Sequence, residues 1–275
     1  MSAPVLVDLP LARDLEGAEG AVGVAFAETR QRLEPAHGSA WCELGGASVV
    51  YDGASSAMTQ TFGLGLHEPA TDSVLDAIEA FFTARGADTH HEVSPLAGVE
   101  TTARLVARGY TPIEMSSVLV QALAARAWSD PPPSAARVRE VAPGEAPAFI
   151  AASIAGWAMP PELAPVLRGF ITIASVNPAL VNLVVEQDGA IIATGSLGIR
   201  GDVALLAGAS TVPTARGRGA QALLLSARLA EAARRGCRLA MMAAEPGSTS
   251  QRNGERNGFR IAYTRTKWRR ALTST

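Results

Sequence analysis

The 275-residue sequence is poor in cysteine, lysine and aromatic residues: it has two cysteines, one lysine and 5 % Phe, Trp and Tyr. Cys42 and Cys237 are too few for a disulfide framework or a cysteine zinc site. Scarce aromatic side chains leave few platforms on which nucleic-acid bases could stack. No apolar run approaches the ~20 residues that span a bilayer. We therefore expect neither a disulfide scaffold, nor a nucleic-acid-binding module, nor a transmembrane protein.

Motifs for metal or nucleophilic catalysis are also missing. His90, His91 and Glu92 are adjacent, and neighbouring residues of a strand point to opposite faces, so the three cannot all bind one ion. No Gly-x-Ser-x-Gly nucleophile elbow occurs. We expect no metal site and no serine nucleophile.

The rest of the composition is that of an ordinary globular chain, with 48 % hydrophobic and 18 % charged residues. At roughly 150 residues per domain, the length suits two modest domains. The N-terminus has no basic region, and Asp8 and Pro10 interrupt its apolar stretch, unlike a secretion signal. We expect a cytoplasmic protein.

Charge is divided unevenly along the chain. Residues 1–136 contain 7 basic and 17 acidic residues, a net charge of −10, whereas residues 137–275 contain 17 basic and 9 acidic residues, a net charge of +8. A basic half favours an anionic ligand such as a phosphate ester. The alternative is that the two halves of the chain attract each other.

Three consecutive prolines at 131–133 favour an extended segment and predict a linker over residues 129–136. The predicted domains are therefore residues 1–128 and 137–275. On both sides of the linker the order helix, strand, helix, strand recurs, with glycine where each helix ends. The first copy is expected at 74–85, 88–93, 97–107 and 112–120, and the second at 221–234, 237–244, 249–256 and 260–268. This match in order and length indicates a duplication.

Upstream of its repeat, the second half predicts a strand, two helices and three further strands. The Asp188-Gly189 pair is a hairpin signal, and Pro161 suits the first turn of a helix. The expected ranges are a strand at 137–141, helices at 146–156 and 161–175, and strands at 181–187, 190–199 and 203–211.

The loop after the strand at 203–211 has the sequence Ala-Arg-Gly-Arg-Gly-Ala at residues 215–220. Gly217 and Gly219 let the backbone turn its N–H groups inward, and the following helix N-terminus carries about half a positive charge. Arg216 and Arg218 add charge at the rim. The loop is neither a Walker loop nor a Rossmann fingerprint, because their further residues are absent. It predicts a site for a pyrophosphate.

The loop and the elements around it resemble the GNAT N-acetyltransferase superfamily, whose acetyl-CoA loop has the form Gln/Arg-x-x-Gly-x-Gly/Ala. The resemblance covers residues 137–275 and includes the closing pattern around Gly258-Phe259. It implies an α/β (or α+β) fold of two tandem GNAT-like domains, each a mixed, mainly antiparallel sheet flanked by helices. The first copy is degenerate: its loop, residues 61–69, lacks arginine and contains Glu68. A single acetyl-CoA site is expected.

The resemblance also implies roles for residues around the loop. Backbone groups of Thr211 and Val212 would pair with the pantetheine arm, between the parallel strands 203–211 and 237–244. Residues Arg216, Gly217, Arg218, Gly219 and Ala220 would hold the pyrophosphate. A strand N–H near Val212 would polarise the acetyl carbonyl.

The sequence departs from the family at three positions, where Thr214, Gly247 and Gly254 replace the usual Gln/Arg, Asn and general-acid Tyr. These departures leave the proton donor and acceptor open. For each candidate the alternative is a structural or surface role. The candidates are Glu186, Glu245 and Tyr263 for proton transfer, Ser250 and Asn253 for contact with pantetheine, and Trp157 and Met159 for contact with substrate.

We expect an acetyltransferase that moves an acetyl group from acetyl-CoA to an amine of a small molecule or peptide by direct attack in a ternary complex. The acidity of the first half suggests a cationic acceptor. The alternative is a non-catalytic, regulatory protein that binds acyl-CoA. The sequence leaves the oligomeric state open.

Overall fold

A computed structural model describes residues 5–123 and 136–272, so most of the expected linker at 129–136 lies outside the described residues. The α-helices of the described residues are α1 (Leu9–Leu33), α2 (Asp72–Thr83), α3 (Gly98–Ala107), α4 (Ala146–Trp157), α5 (Ala164–Val176), α6 (Ala220–Arg234) and α7 (Thr249–Arg256). None of these helices has the length and apolar character needed to cross a membrane.

The strands of the described residues are β1 (Ala40–Leu44), β2 (Ala47–Tyr51), β3 (Gln60–Phe62), β4 (Thr89–Val93), β5 (Thr111–Ala122), β6 (Ala136–Glu140), β7 (Leu180–Gln187), β8 (Ala190–Arg200), β9 (Val203–Thr211), β10 (Leu239–Ala244) and β11 (Arg260–Arg270). Both predicted copies of the helix–strand repeat are confirmed, as are the elements predicted between them. The sequence had given no prediction for α1, β1, β2 or β3.

The first of two compact units contains residues 121–242. Its strands follow the order β6-β7-β8-β9-β10, antiparallel except for the parallel pair β9 and β10. The predicted hairpin at Asp188-Gly189 is confirmed: both residues have positive φ, 52° and 76°, which suits the turn. Phe149 of α4, Ile171 of α5 and Val184 of β7 form a buried apolar cluster in this unit.

The second compact unit combines residues 4–120 with residues 243–275. Its strands follow the order β1-β2-β3-β4-β11-β5, so the last strand of the chain lies between two strands of the first repeat. The predicted domain 137–275 is therefore not a compact unit at its C-terminal end, because α7 and β11 group with the first half of the chain. The division into domains 1–128 and 137–275 with a linker at 129–136 stays a prediction.

Strand β11 also brings basic residues to the acidic first half of the chain. Arg265 pairs with Glu16, Glu19 and Glu92, Lys267 with Glu92, Arg269 with Asp88 and Arg270 with Glu79. The uneven charge of the sequence is thus partly explained by attraction between its halves, the alternative that the sequence had left open. These ion pairs lie within the second unit.

Candidate active site at the end of β9

Strands β9 and β10 pair over only three residues, and their last pair is Leu205 with Met241. Strand β9 continues for six residues beyond Leu205. Along these residues, the edge of β9 on the side of β10 has no partner in β10. On its other edge a β-bulge sets Gly208 and Ala209 opposite Gly195 of β8. The predicted opening between two parallel strands is therefore present in the first unit.

The backbone at the end of β9 corrects one sequence prediction. The Val212 N–H donates a hydrogen bond to the carbonyl of Ile192 at 3.0 Å, so it cannot polarise an acetyl carbonyl. The Val212 N–H is engaged because the hydrogen bonding between β8 and β9 continues one residue beyond Thr211, the last residue of β9. Because N–H groups of a strand alternate in direction, the Thr211 N–H points away from β8, toward the edge that β10 has left. The Val212 N–H itself is therefore excluded, and an oxyanion donor among the neighbouring strand N–H groups stays a prediction.

The loop between β9 and α6 offers a run of free amide groups. In the described part of the chain, the N–H groups of residues 217–222 donate no hydrogen bond, and these residues include the first turn of α6. Gly217 and Gly219 have φ of 73° and 82°, and a Cβ on either would meet nothing within 4 Å. A diphosphate can approach this backbone closely, because glycine leaves the space open and the helix N-terminus favours negative charge.

The two arginines of the loop have different surroundings. Arg216 donates from Nη2 to the Gly156 carbonyl at 2.8 Å and from Nε to the Thr211 carbonyl at 3.2 Å. Arg218 is exposed and forms no hydrogen bond or ion pair with another described residue. Ala220 is buried and begins α6. Arg216 therefore fixes the loop, whereas Arg218 supplies unpaired positive charge.

Helix α4 ends directly against β9. A Cβ on Gly156 would lie 2.4 Å from the Ser210 Oγ and 3.0 Å from the Thr211 nitrogen, so only glycine permits this approach. Behind it, Ser153 and Ser210 each form a hydrogen bond with Thr194, at 2.9 and 3.0 Å. These buried hydroxyl groups hold α4, β8 and β9 together at the base of the opening.

Trp157 and Met159, the predicted substrate residues, follow Gly156 at the end of α4. Their exposed fractions are 45 % and 41 %, which excludes the alternative of a buried core role. Between them Ala158 has φ 49°, a left-handed conformation that costs a non-glycine residue energy. Both side chains are therefore available to a bound molecule beside the end of β9.

Glu186, a candidate base, is held in ion pairs at the edge of the sheet. Its carboxylate accepts hydrogen bonds from Arg137 and Arg139, each at 2.8 Å. The hydrogen bonds from Arg139 and Arg137 keep the pKa of Glu186 below its usual value. A carboxylate so paired is a weak proton acceptor, which favours the structural alternative.

Glu245, Ser250 and Asn253 belong to the second compact unit. Glu245 and Ser250 are exposed, and Asn253 is partly buried on α7. The cap of α7 is Ser248, whose hydroxyl accepts the Gln251 N–H at 3.2 Å. Capping is therefore not the role of Ser250, and contact of these side chains with a ligand stays a prediction.

Tyr263 lies in the core of the second unit with 6 % of its surface exposed. Its hydroxyl donates to the Glu16 carboxylate at 2.8 Å, and Glu16 accepts from Arg265 at 2.9 Å. Burial and the charge of Glu16 raise the pKa of Tyr263 far above its usual value. Its contacts favour the core role over that of a proton donor.

The corresponding loop of the first copy is filled by its own side chains. Leu64 and Leu66 are 1 % and 2 % exposed, and the Leu66 N–H donates to the Gly63 carbonyl at 3.2 Å. A Cβ on Gly65 would meet Thr101 at 2.8 Å. Buried leucines thus occupy this loop, in addition to the acidic residue noted in the sequence.

Sequence reasoning missed Gly156, Gln221 and Arg228. Gln221 accepts a hydrogen bond from the Thr211 hydroxyl at 3.1 Å and ties the end of β9 to α6. A glycine inside a helix costs about 0.5–1 kcal/mol relative to alanine, so Gly156 was a signal of close packing. Arg228 interrupts the apolar stripe of α6 at the spacing 220, 224, 228, 232 and could have been noticed for that reason.

Together these features form a run of free amide groups at a helix N-terminus beside two diverging parallel strands, an arrangement that suits a diphosphate ester. Residues 151–259 match the model of the Acetyltransferase (GNAT) family. This part of the chain is therefore a GNAT domain, a member of a family of acetyltransferase enzymes. No curated protein matches the sequence.

Several solved structures share the fold of most of the chain or nearly all of it. A GCN5-related N-acetyltransferase from Kribbella flavida has a TM-score of 0.63 at 19 % identity, covering 91 % of this chain and 96 % of its own. A tandem GNAT protein from the clavulanic acid biosynthesis pathway has a TM-score of 0.60 at 16 % identity, covering 99 % and 98 %. A GCN5-related N-acetyltransferase from Sphaerobacter thermophilus has a TM-score of 0.56 at 18 % identity, covering 74 % and 68 %. The fold is thus a mixed α/β, tandem GNAT fold.

Proposed function

We propose that the protein transfers an acetyl group from acetyl-CoA to an amine by direct attack in a ternary complex. The observation that carries the proposal is the run of free N–H groups at residues 217–222, which begins α6. The diphosphate of CoA matches this backbone in charge and in hydrogen-bonding capacity. The family match of residues 151–259 supports the choice of acetyl-CoA as the donor.

From the loop, the pantetheine arm would run along the unpaired edge of β9. This edge extends over residues 206–211, roughly 17 Å at about 3.3 Å per residue. An extended arm placed there hydrogen-bonds to the strand as a β-strand would. The thioester would then lie toward the inner end of this edge, where its carbonyl would accept a strand N–H that stabilises negative charge as it develops on oxygen.

The reaction needs few groups from the protein. The amine nitrogen attacks the thioester carbon, the C–S bond breaks, and CoA leaves as a thiolate that takes up a proton. The amine gives up one proton overall, so the products are an amide and CoA-SH. Because Glu186 is ion-paired and Tyr263 is in the core, we assign removal of the amine proton to water, with the exposed Glu245 as the remaining side-chain candidate. The rate should then rise with pH until the acceptor amine is fully deprotonated.

The acceptor would lie beside Trp157 and Met159, which are exposed at the end of α4. The negative charge of the first half carries less weight for the acceptor than the sequence suggested, because β11 pairs with several of its carboxylates. A cationic acceptor remains a hypothesis. A preference for neutral or anionic amines would refute it.

Calorimetry with acetyl-CoA and a thiol assay for released CoA test the proposal together. We expect acetyl-CoA to bind at one site and at least one class in a panel of amines to release CoA above the rate without protein. Binding without release for any amine would favour a non-catalytic acyl-CoA-binding protein. Absence of acetyl-CoA binding would contradict the proposal altogether.

A further inference from the structure

Arg228 of α6 is an uncompensated charge inside the first unit. The described residues contain three buried arginines, Arg30, Arg228 and Arg265. Arg30 pairs with Asp52 and Arg265 with three glutamates, whereas Arg228 has no carboxylate partner in the described part of the chain. Guanidinium groups stay protonated in proteins, so a buried one without a partner is costly.

The hydrogen bonds of Arg228 leave part of its guanidinium unsatisfied. Its Nη1 donates to the carbonyls of Ser196 and Ala207 at 3.4 and 3.3 Å, both at the long end of the range. Its Nε is buried and has no hydrogen-bond partner among the described residues. Burial lowers the pKa of Arg228 to about 10, with no acidic group to oppose it. Two long bonds to carbonyls do not replace a counter-ion.

The fold makes room for this guanidinium. Arg228 Nη1 and Cζ would lie only 3.2 and 3.3 Å from a Cβ on Gly195, so any larger residue there would press on the group. Gly195 also stands opposite the bulge of β9, at Gly208 and Ala209. The guanidinium thus lies beside the stretch of β9 that has separated from β10.

If the protein binds acyl-CoA as proposed above, the acyl end of the donor would lie beside the Arg228 guanidinium; this step rests on the proposed function. Residue 228 is two turns from the start of α6, about 12 Å at 1.5 Å per residue. Ala207, which Arg228 contacts, is near the inner end of the unpaired edge of β9. Suppose that the diphosphate of a CoA thioester binds at the N-terminus of α6 and that its pantetheine arm follows β9. Its acyl group would then lie near Ala207 and Arg228. Ala207 and Ala209 are half-buried and Gly208 is exposed, so this stretch of β9 carries only small side chains.

We propose that the acyl group of the preferred donor carries its own carboxylate, as in a dicarboxylic acid monothioester of CoA, and that Arg228 binds this carboxylate. The guanidinium offers the planar fork of donors that a carboxylate accepts. The transfer reaction would be the one described above. The amine forms an amide with the thioester carbon, CoA-SH leaves, and the distal carboxylate is unchanged. Arg228 is a specificity residue for the donor.

Calorimetry on the full-length protein with acetyl-CoA and with succinyl-CoA tests the proposal without any variant. We expect succinyl-CoA to bind on the order of tenfold or more tightly, since a hydrogen bond to a charged group is worth a factor of this size. Equal affinities, or tighter binding of acetyl-CoA, would overturn the assignment of Arg228 while leaving the proposed function intact. If neither thioester binds, both proposals fail.

Two variants of Arg228 and one control variant test whether the preference for succinyl-CoA depends on this residue. Arg228→Met should bring the affinity for succinyl-CoA down to the affinity of the same variant for acetyl-CoA. Arg228→Lys keeps the positive charge but loses the planar set of donors of the guanidinium. It should therefore retain part of the preference for succinyl-CoA. Arg234→Met removes an exposed arginine from the same helix and should change neither affinity. A preference for succinyl-CoA that survives in folded Arg228→Met would overturn the proposal, with the thermal unfolding midpoint as the check on folding.

Discussion

Arg216 Nη2 donates a hydrogen bond to the Gly156 carbonyl at 2.8 Å, which fastens the loop after β9 to the end of α4. The bond is possible because Gly156 has no side chain and lets the helix approach Ser210 and Thr211. The loop after β9 and the exposed segment at Trp157 and Met159 are therefore parts of one local structure. A change at Gly156 should affect both.

Gly156→Ala should destabilise the first unit by about 1–3 kcal/mol, the usual cost of forcing atoms into a well-packed site. The added methyl would overlap Ser210 and push α4 away from β9. Urea unfolding measures the effect. Gly169→Ala in α5 is the matched control, because a Cβ there meets nothing within 4 Å and alanine is the better helix former. Equal changes in the two variants would contradict this packing argument.

Gly219→Glu should weaken acetyl-CoA binding on the order of tenfold or more, since it brings a carboxylate to the amides that would hold the diphosphate. Calorimetry measures the affinity. Gly189→Glu is the matched control: Gly189 also has positive φ, 76° against 82°, and open space around it, but lies in the β7–β8 turn. The same loss of affinity in both variants would refute the proposed donor loop.

Arg218→Ala should weaken acetyl-CoA binding a few-fold and make the remaining affinity less sensitive to salt. The reason is that Arg218 is exposed, so its attraction to phosphate is screened by ions. Binding isotherms at two ionic strengths measure both effects. Arg200→Ala removes another exposed arginine, from the opposite end of the β8–β9 hairpin, and should change neither quantity. Matching salt dependence in the two variants would contradict the role of Arg218.

Glu16 makes the stability of the second unit depend on pH. Burial, opposed by Arg265, raises its pKa from an ordinary 4.5 to about 7, and Glu19 and Glu92 add negative charge around it. A carboxyl group with a raised pKa in the folded state stabilises fully below its unfolded pKa, and this contribution is lost as pH rises toward 7. The loss at neutral pH amounts to roughly 3 kcal/mol at most, from about 1.4 kcal/mol per pKa unit.

Glu16→Gln should remove this dependence, because the amide imitates the protonated carboxyl group beside Tyr263 and Arg265. Between pH 4.5 and 7.5 the unfolding free energy of the variant should fall less than that of the native protein. Urea titrations at several pH values give both curves. Parallel curves would show that Glu16 does not take up a proton in this range.

The order of helices and strands in the second half could be predicted because local signals mark it. Asp188-Gly189 marks a turn, Gly236 and Gly258 follow helix ends, and Pro161 begins a helical segment. The pairing of β11 with β4 and β5 could not be predicted, because strand pairing depends on contacts between distant residues. Only the opposite charges of the two halves hinted at it.

The sequence could predict which loop forms the candidate site, but not which backbone N–H groups beside it are free. Gly217 and Gly219 mark the loop, whereas the engagement of the Val212 N–H depends on the β8–β9 register and the bulge at Gly208. No residue pattern along one strand reveals that register. The same applies to Glu186, whose ion pairs form only when β6 lies beside β7.

A crystal structure of the protein with bound acetyl-CoA tests the central claim most directly. The account predicts diphosphate oxygens within about 3.2 Å of amide nitrogens of residues 217–222. It also predicts that the thioester lies at the edge of β9 that β10 has left. Diphosphate bound at the loop of residues 61–69, or anywhere other than the N-terminus of α6, would contradict the account.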